Sequence, residues 1–342
     1  MYKYFIRPIL FLFQPETVHH FLINFLKVLN IIPFTKALFR VFFMTENKQL
    51  KRTVFGLEFQ NPVGLAAGFD KNAEVYEVLG NFGFSFVEIG TVTPLGLAGN
   101  PKPRLFRLKK DKAIINRMGF NNRGLVSAVT NLKKRKSKLI IGGNIGKNTL
   151  TPNEKANEDY YRCFNNLFPY VDYFTVNVSC PNISDLHELQ DKDALLELLE
   201  GIQNLNHRKT KPKPVLLKIS PDLNFSQIDD TLKIIKQTEL DGIVAVNTTT
   251  SRTNLSYSEK EISKIGNGGL SGLPLKERST EIIRYISEKT NGKLPIIGVG
   301  GIMNPEDALK KLEAGASLVQ IYTGFIYEGP SLVKKINKRL LK

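Results

Sequence analysis

The chain has 342 residues, 42% hydrophobic and 23% charged, enough to bury a full core as two small domains or as one large barrel with an appendage. Its two cysteines, Cys163 and Cys180, lack metal-ligand spacing and a disulfide framework, which excludes a readable zinc or iron–sulfur site and fits a reducing compartment. A formal net charge of +16 points to an anionic partner, whether nucleic acid, membrane surface or a phosphorylated or carboxylated ligand, although runs such as KKRK at 133–136 are as readily solvated helix faces.

Residues 1–45 differ from the rest. Ile6, Ile9, Leu10 and Phe13, then Val18, Phe21, Leu22, Phe25, Leu26 and Leu29, recur at helical spacing, with Pro15 and Glu16 opening the second run. An N-terminal extension of two short amphipathic helices is predicted. Lys3 and Arg7 imitate the start of a signal peptide, but Gln14, Pro15 and Glu16 cut the apolar run and no small-residue cleavage site follows. Nor is any stretch long and apolar enough to span a bilayer. Apolar faces interleaved with Lys27, Lys36 and Arg40 suit a helix pair lying in a membrane interface, or equally a cap packed on the main domain. Of the adjacent His19 and His20 only one can share the apolar face, and an exposed helix histidine is the default reading for either.

Beyond residue 46 apolar runs at 63–67, 86–90, 139–144, 173–178, 215–219, 242–246, 296–299 and 318–322 read as eight strands, each followed by enough chain for a helix. Eight such units predict a single (β/α)8 TIM barrel over 46–342, with no second compact domain, low-complexity tract or further internal repeat. FGLEFQNP before the first strand reads as a hairpin plugging the barrel bottom. The stretch 102–122 reads as a hairpin-bearing insertion after the second strand, with Asn121 and Asn122 opening a helix through Arg135.

The predicted strand ends carry polar and glycine residues that converge on one mouth: Ala67, Gly68, Phe69, Asp70 and Lys71, then Thr91, Asn144, Asn177, Lys218, Asn247, Thr248 and Thr249. Asn and Thr are common in ordinary turns, but here they occupy nearly every strand end. GVGG at 298–301 and YTG at 322–324 leave backbone N–H groups free to cradle a phosphate, and NGGLSG at 267–272 adds a third flexible backbone on that side. GVGGI lacks the dinucleotide fingerprint, so a mononucleotide fits better. Lys218 would then place a cation beside the part of a flavin ring that becomes negative on reduction. In FTVNVSCPN at 174–182 the alternating strand stops before Pro181, which puts Cys180 on the loop between the amides of Asn177 and Asn182. A free cysteine is usually a small core hydrophobe, but these neighbours suit a planar, carbonyl-rich substrate better than a core.

The strings GLAAGFDKNAE, EIGTVTP, PRLFRL, INRMGFNN, NIGKN, VNVSCPN, VLLKISPD, VNTTT, GGLSG, PIIGVGGI and SLVQIYTGFIYEGP cover the barrel from end to end, and the set resembles the dihydroorotate dehydrogenases, FMN-dependent (β/α)8 barrels. The N-terminal helices and PRLFRL look like the membrane-associated, quinone-reducing class. That resemblance implies FMN contacts from Ala67, Gly68, Phe69, Asp70, Lys71, Thr91, Asn144, Asn177, Lys218, Val246, Gly272, Gly301, Tyr322 and Thr323. It implies substrate contacts from Lys71, Asn116, Arg117, Met118, Gly119, Phe120, Asn177, Asn182, Asn247 and Thr248, and a quinone path past His19 and Arg107. It further implies dihydroorotate and orotate as ligands, peripheral attachment to the cytoplasmic face of the cell membrane, and no nucleic-acid partner. Two departures stand out: the quinone class ordinarily has serine where this chain has Cys180, and NISDLHELQ lacks the Pro-Gly and Arg usual there.

Oxidising a dihydropyrimidine removes a proton from C5 and a hydride from C6, so a base must face the flavin across the ring. Cys180 fills that place: a thiol of pKa about 8.5 is a few per cent thiolate at neutral pH, and a well-placed base contributes roughly 10²- to 10⁴-fold. Lys71 would meet the substrate carboxylate. Three other readings differ in one feature each. Fumarate or an NAD-linked partner as acceptor is favoured by Cys180; a flavin barrel reducing uridines in transfer RNA would need an added RNA-binding region, where this chain ends within one helix of strand eight; and a non-catalytic membrane-surface barrel would not need Lys71, Cys180 and Lys218 together.

Overall fold

The computed structural model describes residues 1–178 and 192–342. A single irregular turn at Tyr2–Ile6 leads into α1 (Arg7–Leu10), α2 (Pro15–Ile31) and α3 (Thr35–Phe43). Pro15 takes the first position of α2, where its missing N–H costs no bond. Ile23 and Leu26 of α2 join the main core, and Phe39 and Phe43 of α3 pack on Phe82 with ring centroids 5.0 and 5.2 Å apart. The opposite faces stay bare: of twenty-one exposed large hydrophobic side chains among the described residues, sixteen lie between Met1 and Phe42. The segment is thus a cap by its inner face and leaves an apolar outer one. No single described helix is long and apolar enough to cross a membrane, and α2 and α3 are bent by 113° at their junction.

The hairpin β1 (Arg52–Val54) and β2 (Leu57–Phe59) closes the barrel bottom. The barrel follows as β3 (Val63–Leu65), α4 (Tyr76–Gly80), β4 (Phe86–Val92), the hairpin insertion β5 (Leu105–Leu108) and β6 (Ala113–Asn116), then α5 (Gly124–Leu132), β7 (Ile140–Ile145), α6 (Ala156–Leu167), β8 (Tyr173–Asn177), α7 (Lys192–His207), β9 (Val215–Ile219), α8 (Phe225–Gln237) and β10 (Gly242–Ala245). It ends with α9 (Glu259–Ile265), β11 (Gly269–Gly272), α10 (Lys276–Lys289), β12 (Ile296–Val299), α11 (Pro305–Glu313), β13 (Leu318–Ile321), α12 (Thr323–Glu328) and α13 (Ser331–Arg339). All eight expected strands are present, parallel, and closed in the order β3, β4, β7, β8, β9, β10, β12, β13.

Strand alternation sorts the side chains. Val87, Ile89, Phe174, Val176, Val215 and Leu217 point outward into the layer beneath the helices, while Phe86, Tyr173 and Leu216 point inward onto Phe59 of the plug. Phe59 and Phe86 meet edge-on at 5.2 Å, so the floor is apolar and filled, and polar inward residues begin only above it.

Two details depart from the sequence reading. NGGLSG is not a free backbone: β11 pairs antiparallel with β6, making the insertion a three-stranded sheet in which Leu270 packs with Leu108, Ala113 and Ile115. An extended edge offers unpaired backbone groups, and β11 satisfies them. The helix after the insertion begins at Gly124 rather than Asn121, because Asn122 is spent on tying loops: its Nδ2 donates to Thr93 Oγ1 at 2.8 Å and its Oδ1 accepts from the Gly124 N–H at 2.7 Å.

Candidate active site

Above the apolar floor, Glu88 is completely buried in the barrel. Its carboxylate accepts from Asn144 Nδ2 at 2.8 Å, Gln320 Nε2 at 2.9 Å, Thr175 Oγ1 at 3.1 Å and Tyr173 OH at 3.3 Å, and Lys218 Nζ lies 4.0 Å away. A buried carboxylate persists when its lone pairs are filled by donors and a cation stands close, and both hold here. This platform sets the next layer: Thr91 Oγ1 donates to Asn144 Oδ1 at 2.5 Å and accepts from Asn177 Nδ2 at 3.0 Å. Strand β4 was read for its Thr91, and Glu88 passed unremarked although a charge inside FVEIGTV was the signal.

Over this platform opens one cavity. It is bordered by Ala67, Gly68, Lys71, Thr91, Asn177, Lys218, Val246, Gly272, Gly301, Tyr322 and Thr323 of the expected cofactor set, and by Asn116, Met118, Gly119, Phe120, Asn247 and Thr248 of the expected substrate set. Three expected cofactor residues are placed behind its wall. Asn144 lies under Thr91. Asp70 is buried with its carboxylate accepting from the Glu74 and Val75 N–H groups at 2.7 and 2.8 Å, which shapes the loop carrying Lys71; burial, partly offset by those donors, pushes it up to about 6. Phe69 packs edge-on against His19, Tyr322 and Phe325. Arg117 does not border the cavity either: its guanidinium donates to Pro103 O at 3.0 Å and lies over the Phe106 ring, pinning the insertion. Cys180 and Asn182 lie outside the described residues.

The N-terminal helices contribute directly. His19 and Glu16 of α2 border the same cavity. His19 is therefore not the exposed helix histidine of the sequence reading; α2 turns it inward against Phe69, 5.2 Å between ring centroids, and leaves His20 outside. Burial first, and the nearby Lys71 cation second, lower the His19 imidazole to about 4, so it is neutral at physiological pH. Lys71 Nζ donates to Asn121 Oδ1. Arg107 does not border the cavity; its Nη1 donates to Phe13 O at 2.8 Å and its guanidinium lies 4.4 Å from the centre of the Phe11 ring, holding the turn between α1 and α2. Glu16 and its buried partner Arg104, with a 2.7 Å bond from Arg104 Nη2, were not singled out as a pair, since eighty-eight residues separate them.

The cavity fits a phosphate-bearing planar ring at both ends. At one end Gly272 and Gly301 have φ of +99° and +71°, and a Cβ on Gly301 would lie 2.3 Å from Lys276 Cα, so only glycine lets the backbone close there. At the other, Gln320 Oε1 is buried without a partner beside the Glu88 platform, an acceptor suited to a ring N–H, with the Lys218 cation nearby. Among the described residues no group of three His, Cys, Asp or Glu could hold a metal.

A (β/α)8 barrel whose strand ends form one such cavity has the layout of the barrel enzymes, whose active sites lie at the C-terminal face. The family model for dihydroorotate dehydrogenase matches residues 49–342, and the chain belongs to that family, which is flavin-dependent. It is similar to the dihydroorotate dehydrogenase (quinone) of Christiangramia forsetii, 56% identical over all of this chain and 99% of the relative, and to that of Thermosynechococcus vestitus, 46% identical over 99% and 96%. Among solved structures, the Eimeria tenella enzyme in complex with ferulenol is 36% identical with a TM-score of 0.86, covering 96% of this chain and 90% of that one.

Proposed function

We propose that this chain oxidises (S)-dihydroorotate to orotate in the synthesis of UMP, using bound FMN and passing the electrons to a membrane quinone. The observation that carries this reading is the single cavity that joins Lys71, Asn177 and Lys218 at the barrel mouth to His19 on the N-terminal helix. Bound FMN would supply hydride acceptance from C6 and onward transfer of the electrons to the quinone. The backbone at Gly272, Gly301 and Thr323 cradles its phosphate, and Lys218 supplies the counter-charge for the reduced ring. Lys71 meets the substrate carboxylate, Asn116, Asn177, Asn182, Asn247 and Thr248 bond to the ring amides, and Cys180 takes the C5 proton. His19, neutral near pH 7, offers the quinone a hydrogen bond without burying a charge.

The bare apolar face of residues 1–43 rests on the cytoplasmic face of the cell membrane, where a quinone can enter beside α2, and no nucleic acid is involved. Cys180 favours a second reading, the same oxidation with fumarate or an NAD-linked acceptor. The test of the shared step is anaerobic: the purified protein should be yellow, release FMN identified by mass, and bleach when dihydroorotate is added. Colourless protein, or flavin that dihydroorotate leaves oxidised, would overturn the reading.

A further inference from the structure

We propose that the Glu16–Arg104 ion pair is a positioning device through which helix α2 sets the substrate wall of the cavity, so that the membrane-facing segment controls dihydroorotate binding as well as quinone access. The inference rests on the functional reading above.

Arg104 is buried at a junction. Its Nε and Nη2 donate to the Glu16 carboxylate at 3.1 and 2.7 Å, and its Nη1 donates to Ala98 O at 2.6 Å and Asn100 O at 2.8 Å. The turn so held grips the segment that follows β6: Asn100 N–H donates to Met118 O at 3.1 Å, Asn100 Nδ2 to Arg117 O at 3.0 Å, and Arg117 N–H to Arg104 O at 2.9 Å. There is no slack between the layers, since a Cβ on Gly99 would lie 2.3 Å from Met118 O. Met118 and Gly119 then form cavity wall, while Glu16 and His19 border that cavity from α2. One planar guanidinium therefore connects the first turn of α2 to the wall segment in two steps.

Stability alone does not call for this device. A buried ion pair is commonly no better than well-packed apolar residues of the same volume, whereas the rigid fork of an arginine fixes geometry among several acceptors. Lys102 Nζ and His20 Nε2 also approach Glu16, at 3.6 and 3.5 Å, but both come from exposed side chains and neither reaches the turn at 98–100. The link to the wall is Arg104.

The test uses full-length, flavin-loaded protein and reads only its anaerobic reduction by dihydroorotate in stopped flow, a reaction without quinone. Glu16→Gln, Arg104→Met and the double variant are compared. Each single variant should raise the half-saturating dihydroorotate concentration about 5-fold or more, the lower range of site-to-site coupling, with limiting rate and flavin content retained. The double variant should be no worse than Arg104→Met. A folded Glu16→Gln that saturates as wild type does would overturn the inference, and that variant decides alone if Arg104→Met does not fold. Wild-type flavin that dihydroorotate fails to reduce would instead overturn the functional reading, and the inference with it.

Discussion

Inside the barrel the Lys218 ammonium stands 4.0 Å from the carboxylate of Glu88, which is filled by donors from three further strands and so fixes the cation beneath the cavity. Lys218→Ala should lose flavin or its reducibility, measured as bound flavin per chain and bleaching by dihydroorotate; wild-type values for both would remove Lys218 from the cofactor site. Cys180→Ala should retain flavin yet reduce it about a hundredfold more slowly, and Cys180→Ser should keep partial activity with a pH optimum displaced upward, because serine has a far higher pKa and needs a proton relay. Stopped-flow reduction across pH measures both. An alanine variant as fast as wild type would return Cys180 to the role of a bystander thiol. Helical pattern could not tell which of the two adjacent histidines faces the barrel, and only the family resemblance pointed to His19. With its folded pKa near 4 and an unfolded value near 6.5, the unfolded chain binds more protons between those values, so His19 makes stability fall as pH drops through that window. His19→Leu should therefore show a smaller loss of Tm than wild type between pH 7 and pH 5; equal losses would contradict the burial.

At the scale of elements, the strands and the first two N-terminal helices were readable because their faces are periodic, and Pro15 marked the start of α2, whereas α3 was not singled out. What sequence could not show was pairing at a distance: β11 lies about 150 residues from its partner β6, and glycine-rich NGGLSG carries no strand pattern of its own. The plug was legible as a hairpin, and its energetic weight appears only in the fold. Phe59→Ala should cost about 3–5 kcal/mol by emptying the space beneath Phe86 and Tyr173, read by chemical denaturation, with activity surviving wherever the protein stays folded. A change under 1 kcal/mol would mean the hairpin is peripheral to the core.

For the whole molecule, the barrel was legible from one end to the other because a closed parallel barrel repeats a single strand and helix period, and the motifs sit at its strand ends. By its own pattern the N-terminal segment was legible only as amphipathic, and the family resemblance singled out His19; that Glu16 joins His19 at the cavity required the fold. This geometry makes the segment part of the cavity wall as well as a cap on the barrel. The most direct measurement is turnover of dihydroorotate by full-length protein and by protein lacking residues 1–43, each with a quinone, fumarate, NAD⁺ and a soluble artificial dye as acceptor. Full-length protein should prefer the quinone, and the shortened one should lose quinone reduction but still pass electrons to the dye at a raised dihydroorotate requirement. Preference for fumarate or NAD⁺, or unimpaired quinone reduction without residues 1–43, would contradict this reading.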